Sequence, residues 1–318
     1  MQVGDILSKH LSKVMHKTRL STLSVLVGSL FHARFFNLTG LGRALTLYEE
    51  VHPQKKYANP KLHLRFLKKL KSMLDEGVRP IIISDAGFHS SWFEDVQSLG
   101  WDYVGRIRGN KYYRLRTVTK WSAISSLHKD ATNTPTFLGD IELCKDSGFY
   151  TKIYRYKSKK TGRKSKTKRG NVRRSAQSLQ HAKGANEPWL LVSSLPDNSK
   201  IAKKVVDIYS LRMQIEGGFR DLKSTKYGFG FEHVNTNHIY RLNVFFLIAM
   251  LATFLAWIIG WLGEKSNLQS QYQANSISNV RVLSLFYLGF RIIIRARDEI
   301  KNVCIQSVID NFPDFNEA

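Results

Sequence analysis

A chain of 318 residues can bury a sizeable core and hold two or three domains. Its 49 lysines and arginines against 25 acids leave a net charge of +24, which calls for a polyanionic partner, most simply nucleic acid. Cys144 and Cys304 are far apart and suit a reducing cytosol, no Cys/His cluster has zinc spacing, and no basic segment with a following apolar run opens the chain as a signal peptide would.

Residues 6–45 read as helices, with Ile6, Leu7, Leu11, Val14 and Met15 forming one amphipathic pattern and Leu20 to Phe35 a second. The segment NLTGLGRAL from Asn37 carries a Thr cap and a Gly break, and is either a small helical DNA-binding element or plain helical packing. Leu45 to Val51 is rich in β-formers and predicts a strand. His52 to Asn59 is a loop. Pro60 to Asp75 is an amphipathic helix with Leu62, Phe66, Leu67, Leu70 and Leu74 inward, stopped by Gly77. The apolar run Pro80 to Ser84 predicts a buried strand with Asp85 at its end. Ser90 or Ser91 can cap a helix from Trp92 to Leu99, and Trp101 to Arg108 is the next strand. In a strand-helix-strand unit the ligand site lies beyond the carboxyl ends of the strands, where Asp85 stands; a turn former or helix cap is the plainer reading of that residue.

Tyr112 to Leu195 predicts mostly β-structure, with alternating segments at Phe137 to Leu143 and Phe149 to Tyr156 punctuated by Gly139 and Gly148. Arg155 to Arg174 holds eleven lysines or arginines and no acid, among them Arg163, Lys164, Lys166, Lys168, Arg169, Arg173 and Arg174. It reads as a loop that contacts DNA or as a solubilising charged loop. Trp189 opens the strand EPWLLVSSLP. Leu242 to Leu262 is uncharged for twenty-one residues, enough to span a bilayer by length alone, and is read instead as a buried helix of a large domain, with Asn243 inside it. Ser276 to Phe312 reads as two further helices.

The centre of the chain is a predicted helix from Asp207 to about Ser224. At 100° per residue, Tyr209, Arg212, Glu216 and Lys223 fall within roughly 60° of one another. Ile208, Leu211, Ile215, Phe219 and Leu222 form an adjacent stripe expected to dock on a core. A carboxylate between cations and a phenol on a rigid helix suits a metal next to phosphates, and is otherwise a solvated charged face. Gly217 and Gly218 weaken the helix by about 1 kcal/mol each against Ala, which suggests a large group passing close to the backbone.

Tyr209, Arg212, Glu216 and Lys223, within YSLRMQIEGGFRDLKSTKYGFG, resemble the Y-x2-R-x3-E-x6-K signature of bacterial insertion-sequence transposases, the cut-and-paste enzymes with an Asp-Asp-Glu triad. SDAGF and GWDYVGRIRG match the strand of the second acid. The resemblance runs from about Asn37 to the C-terminus. It implies an α/β fold with a ribonuclease-H-like core and a β-rich insertion. The expected division is a helical N-terminal segment (1–44), the first part of the core (45–111), the insertion with its basic loop (112–195), and the second part of the core with C-terminal helices (196–318). It further implies Mg²⁺ or Mn²⁺ on Asp85 and Glu216, their carboxylates within about 4–8 Å. Arg212 and Lys223 would hold phosphates, with Tyr209 orienting the backbone. Trp189 would stack on a flipped base or be a core aromatic, since such stacking is worth about 1–3 kcal/mol. The partners implied are DNA with the element's terminal inverted repeats and a possible second copy on DNA, with no membrane, in the bacterial cytoplasm at the nucleoid.

The resemblance breaks at one place. The family's first Asp belongs on a strand before the segment matched by TLYEEVHP, and here Leu45 follows Ala44 directly. The acids upstream of Asp85 are Asp5, Glu49, Glu50, Asp75 and Glu76, none on a matching strand. The chain therefore reads as an internally deleted transposase, impaired in cutting, or as a DNA-binding remnant that inhibits the intact enzyme.

Overall fold

Asn59 starts the first described helix, α1 (Pro60–Lys71): its side-chain oxygen accepts from the backbone N–H groups of Lys61 (3.0 Å) and Leu62 (3.4 Å), and proline stands at the first helical position. The computed structural model describes residues 46, 48–53, 56, 59–145, 148–158, 187–224, 228–230, 236, 238–273 and 281–295. The helices expected before residue 46, the basic stretch 159–186 and everything after 295 lie outside the described residues. The chain divides into two compact units, Gln54–Arg212 on one hand and Met1–Pro53 with Met213–Ala318 on the other.

In the first unit α1 is followed by β1 (Ile81–Ser84), α2 (Ser90–Ser98) and β2 (Asp102–Ile107), the strand-helix-strand unit expected, with β1 and β2 parallel. The cap of α2 differs from the expectation. His89 occupies the N-cap without a side-chain bond, and Ser90 is already helical, its hydroxyl 3.3 Å from the Cys144 sulfur. β3 (Tyr112–Leu115), β4 (Ser122–Ala123), β5 (Thr136–Leu143), β6 (Phe149–Tyr156) and β7 (Trp189–Ser193) then complete one seven-stranded sheet in the order β1-β2-β7-β6-β5-β3-β4. All pairs after β1·β2 are antiparallel. The two positions read as punctuation carry left-handed backbone, Gly139 (φ 125°) beside the bulge in β5 and Gly148 (φ 62°) at the β5–β6 turn.

The sheet is covered on both faces. Period-two alternation sends Tyr103, Ile107, Ile141, Ile153, Leu190 and Val192 toward α1 and α2, where Leu67, Trp92, Phe93 and Val96 meet them. Val104, Tyr154 and Leu191 face α3 (Ile201–Ser210), through its Ile201, Val205, Val206 and Tyr209. Leu45 to Val51, by contrast, is not a strand at its described positions, Thr46 and Tyr48 to Val51. Its polar groups satisfy one another instead: the Tyr48 hydroxyl donates to Glu50, and Glu50 meets His52 at 2.7 Å.

The predicted central helix is two. α3 ends at Ser210, and α4 (Arg212–Lys223) begins after a single intervening residue, Leu211. The buried stripe is also in a different phase. Val205, Val206 and Tyr209 carry the packing of α3, while Leu211, Ile215 and Phe219 are exposed. The Tyr209 ring offers more apolar area than a leucine and takes the core position in its place.

In the second unit, α5 (Ile239–Lys265) packs against α6 (Leu285–Arg295) through Ala256, Trp257, Ile259, Phe286, Leu288 and Ile292. α5 is long and apolar enough to cross a membrane, with mean hydropathy 2.4 in its most apolar window. The sequence predicts burial all round. Burial holds for its C-terminal half, whereas Tyr240, Val244, Phe245, Leu247 and Ile248 are exposed.

Candidate functional site

β1 delivers Asp85 to the carboxyl end of the sheet. The strand end is fixed from the core side, where the buried Ser84 hydroxyl accepts from the Trp92 indole N–H at 2.7 Å. Asp85 itself is exposed, and its Oδ1 accepts from the Gly87 backbone N–H at 2.8 Å. That hydrogen bond closes the turn after β1.

Four side chains converge near this end on the α3 face. Tyr209 is 2% exposed, with the Trp189 ring edge-on at 5.0 Å and the Arg212 guanidinium 5.6 Å from its ring centre. Burial raises the Tyr209 phenol above its ordinary value; Arg212 and Arg106 pull it back, and Asp85 pushes it up again. Burial likewise lowers Arg106, against the opposing pull of Tyr209 and Glu187. Asp85, Arg106, Tyr209 and Arg212 therefore share one electrostatic environment: a carboxylate and two guanidiniums around a buried phenol. Arg106 reaches Glu187 at 3.7 Å, and Glu187 also holds Arg108 at 2.5 Å and stands 3.9 Å from His128.

The Tyr209 ring belongs to the core, and its phenol stands within the electrostatic reach of both arginines. Trp189 is half-buried and packs on both Tyr209 and Tyr156, the latter at 5.6 Å. Arg106 and Glu187 were missed by sequence reasoning. The available signal was Arg106 two residues after Val104 in an otherwise buried strand, which by alternation puts a cation on the α3 face.

Glu216 and Lys223 stand on α4, in the other unit. The Glu216 side chain lies outside the described residues, and with it the expected approach to Asp85. Lys223 is exposed, its Nζ 5.9 Å from the centre of the Phe219 ring. A Cβ built on Gly218 would meet no described atom within 4 Å, so the backbone there is open to approach. Arg163, Lys164, Lys166, Lys168, Arg169, Arg173 and Arg174 all lie outside the described residues.

Among the described residues no three His, Cys, Asp or Glu side chains come together as a metal site. Asp85 alone is short of the octahedral oxygen set that Mg²⁺ requires.

The model of the family described as transposase DDE domain matches residues 38–255. The chain belongs to that family. A comparison with curated proteins finds no match. The match spans both units and contains Asp85, Trp189, Tyr209, Arg212, Glu216 and Lys223. The mixed seven-stranded sheet with helices on its faces agrees with the ribonuclease-H-like core of transposase DDE domains.

Proposed function

We propose that the chain is the DNA-binding transposase of a bacterial insertion sequence, impaired in strand cleavage because the first acid of its triad is missing. The observation that carries this reading is the position of β1. It bears Asp85 and, among the described residues, has a neighbour on one side only, β2. Its other edge carries no strand among the described residues, and an unpaired edge is where a further strand can add. The deleted block would supply strands at that edge, including the one bearing the first Asp. Asp85 and Glu216 would be the remaining metal carboxylates, and Arg212, Lys223 and the basic stretch 155–174 would hold phosphates. Tyr209 would set the arginines.

A divalent metal in this class activates the attacking oxygen and stabilises the leaving one. Losing a carboxylate that stabilises this transition state would cost several kcal/mol, at a factor of ten in rate for each 1.36 kcal/mol. The second reading, a non-catalytic DNA-binding remnant or inhibitor of the intact enzyme, is favoured by the same gap. DNA with terminal inverted repeats is the partner proposed, with a second copy on DNA, in the bacterial cytoplasm.

The test is purified protein with DNA carrying the element's ends, titrated with Mg²⁺ and then Mn²⁺. DNA binding with no nicking above background is expected. Cleavage that disappears in Asp85→Ala and in Glu216→Ala would overturn the impaired reading and require a third carboxylate elsewhere.

A further inference from the structure

A cleft of about 340 Å³ opens in the unit Gln54–Arg212, apart from the cluster around Tyr209. Its walls come from the start of α2 (His89, Ser90), the segment after β2 (Asn110, Lys111) and the β5–β6 turn (Cys144, Lys145). β1 and β2 are parallel, so α2 starts and β2 ends at the same end of the sheet as Asp85. The cleft lies on the α2 face of that end, where Phe93, Ile107 and Leu143 form its floor.

Its chemistry is that of an anion site with an aromatic rim. Among the described residues no carboxylate lines it. Lys111 is half-buried, and its Nζ lies 3.3 Å from His89 Nδ1. Among the described residues neither Lys111 nor Lys145 is in a salt bridge. A cation desolvated without a counter-charge favours an anion brought to it. Tyr112 at the rim is 51% exposed and carries the Lys145 ammonium 4.8 Å from its ring centre. The volume is at the low end of small-ligand sites, about 300–1,000 Å³, which fits one nucleotide and not a duplex.

We propose that this cleft holds a single nucleotide of a DNA strand, its phosphate on Lys111 and Lys145 and its base against Tyr112. The proposal rests on the DNA-binding reading above. It adds a second hold on the strand on the face of the sheet opposite Tyr209. Ring stacking is tolerant of base identity, so the site grips without reading sequence.

Cys144 is the reporter. In full-length protein carrying Cys304→Ser, the rate of Cys144 alkylation by iodoacetamide is measured with a single-stranded oligonucleotide, with dAMP and with inorganic phosphate, while anisotropy follows oligonucleotide binding. The oligonucleotide is expected to slow alkylation. Lys111→Gln with Lys145→Gln should abolish that protection at an unchanged urea midpoint, and make the salt slope of binding shallower by about 0.7 for each phosphate that is no longer neutralised. A strand carrying 5-iodouracil should photocrosslink to Tyr112. An oligonucleotide that binds while Cys144 reacts at its free rate, with no crosslink at Tyr112, overturns the cleft and leaves DNA binding standing. If no oligonucleotide binds, the DNA reading fails. Protection by dAMP alone would then assign the cleft to a free nucleotide, and protection by none of the three probes would remove it.

Discussion

The ring of Trp189 stands edge-on to that of Tyr209, 5.0 Å between centroids and 72° between planes. The first residue of β7 is thereby locked to the motif residue of α3, and Tyr156 closes a further side at 5.6 Å. Trp189 is half-buried and packs against the cluster of Val104, Leu191, Val205 and Tyr209.

Trp189→Ala should therefore cost stability. Full truncation of a buried tryptophan costs about 3–5 kcal/mol, and half-burial brings the expectation to about 2 kcal/mol. Trp189→Phe should recover most of it. Urea unfolding of the three proteins measures this. An alanine variant as stable as the parent but weaker on DNA would assign Trp189 to the nucleic acid and not to the core.

Glu187 is the counter-charge that Arg106 and Arg108 share. Removing it leaves the Arg106 guanidinium buried among cations. Breaking a fully buried pair costs about 3–5 kcal/mol, and partial solvent access at Glu187 reduces the expectation for Glu187→Ala to about 2 kcal/mol. Arg106→Met in the Glu187→Ala background should restore part of the loss. A double variant no better than the single one would show that Arg106 is not the residue left stranded.

His63, His89 and His128 all have lowered pKa values, burial being the first cause in each. The folded chain thus binds fewer protons than the unfolded one below the ordinary histidine value. The stability this represents is complete above about pH 6.5 and is lost as the pH falls toward the folded values. The urea midpoint should decline between about pH 7 and pH 5, with the raised carboxyls of Glu49 and Asp95 acting in the opposite sense at the acid end. His63 packs on Phe88 at 5.3 Å and Trp92 at 5.4 Å, so His63→Phe should flatten its share of the slope. A midpoint constant across that window would remove these histidines as the cause.

The salt dependence of DNA binding tests the charge argument. Should seven cations of the stretch 155–174 contact phosphates, log K should fall with log salt at a slope of about −6 from that region. Neutralising those seven should flatten the plot. Affinity insensitive to salt would dismiss the electrostatic account.

The fold was legible where the pattern was local. Alternation over Phe137 to Leu143 and Phe149 to Tyr156 gave β5 and β6 to within a residue, and the run before Asp85 gave β1. The packing phase of the central helices was not. The apolar residues from Ile201 to Phe219 support two overlapping stripes, and tyrosine was read for its hydroxyl when its ring decides the burial. Thr46 to Val51 has the composition of a strand, and a strand also needs a partner edge, which composition does not specify. Arg106 depends on Glu187, eighty-one residues further on, a pairing no spacing rule reaches.

The contact between α5 and α6 turns on two glycines, and it discriminates sharply between substitutions. A Cβ at Gly260 would stand 1.9 Å from the Leu285 carbonyl oxygen, and one at Gly289 would stand 1.7 Å from that of Ala256. Backbone is met in both cases, so neither clash can be relieved by a rotamer change. At Gly263 the nearest atom is the end of the Ile292 side chain, at 2.3 Å, which can swing away. Alanine raises helix propensity by about 1 kcal/mol at each position, the same gain in all three variants. Overpacking costs about 1–3 kcal/mol where the surroundings yield, and more where they do not. Gly260→Ala and Gly289→Ala should each destabilise the helix pair by about 3 kcal/mol, and Gly263→Ala should be near neutral. Trp257, buried at this contact, reports the transition by its fluorescence in urea. Equal midpoints for the three variants would mean that α5 and α6 do not meet at these glycines.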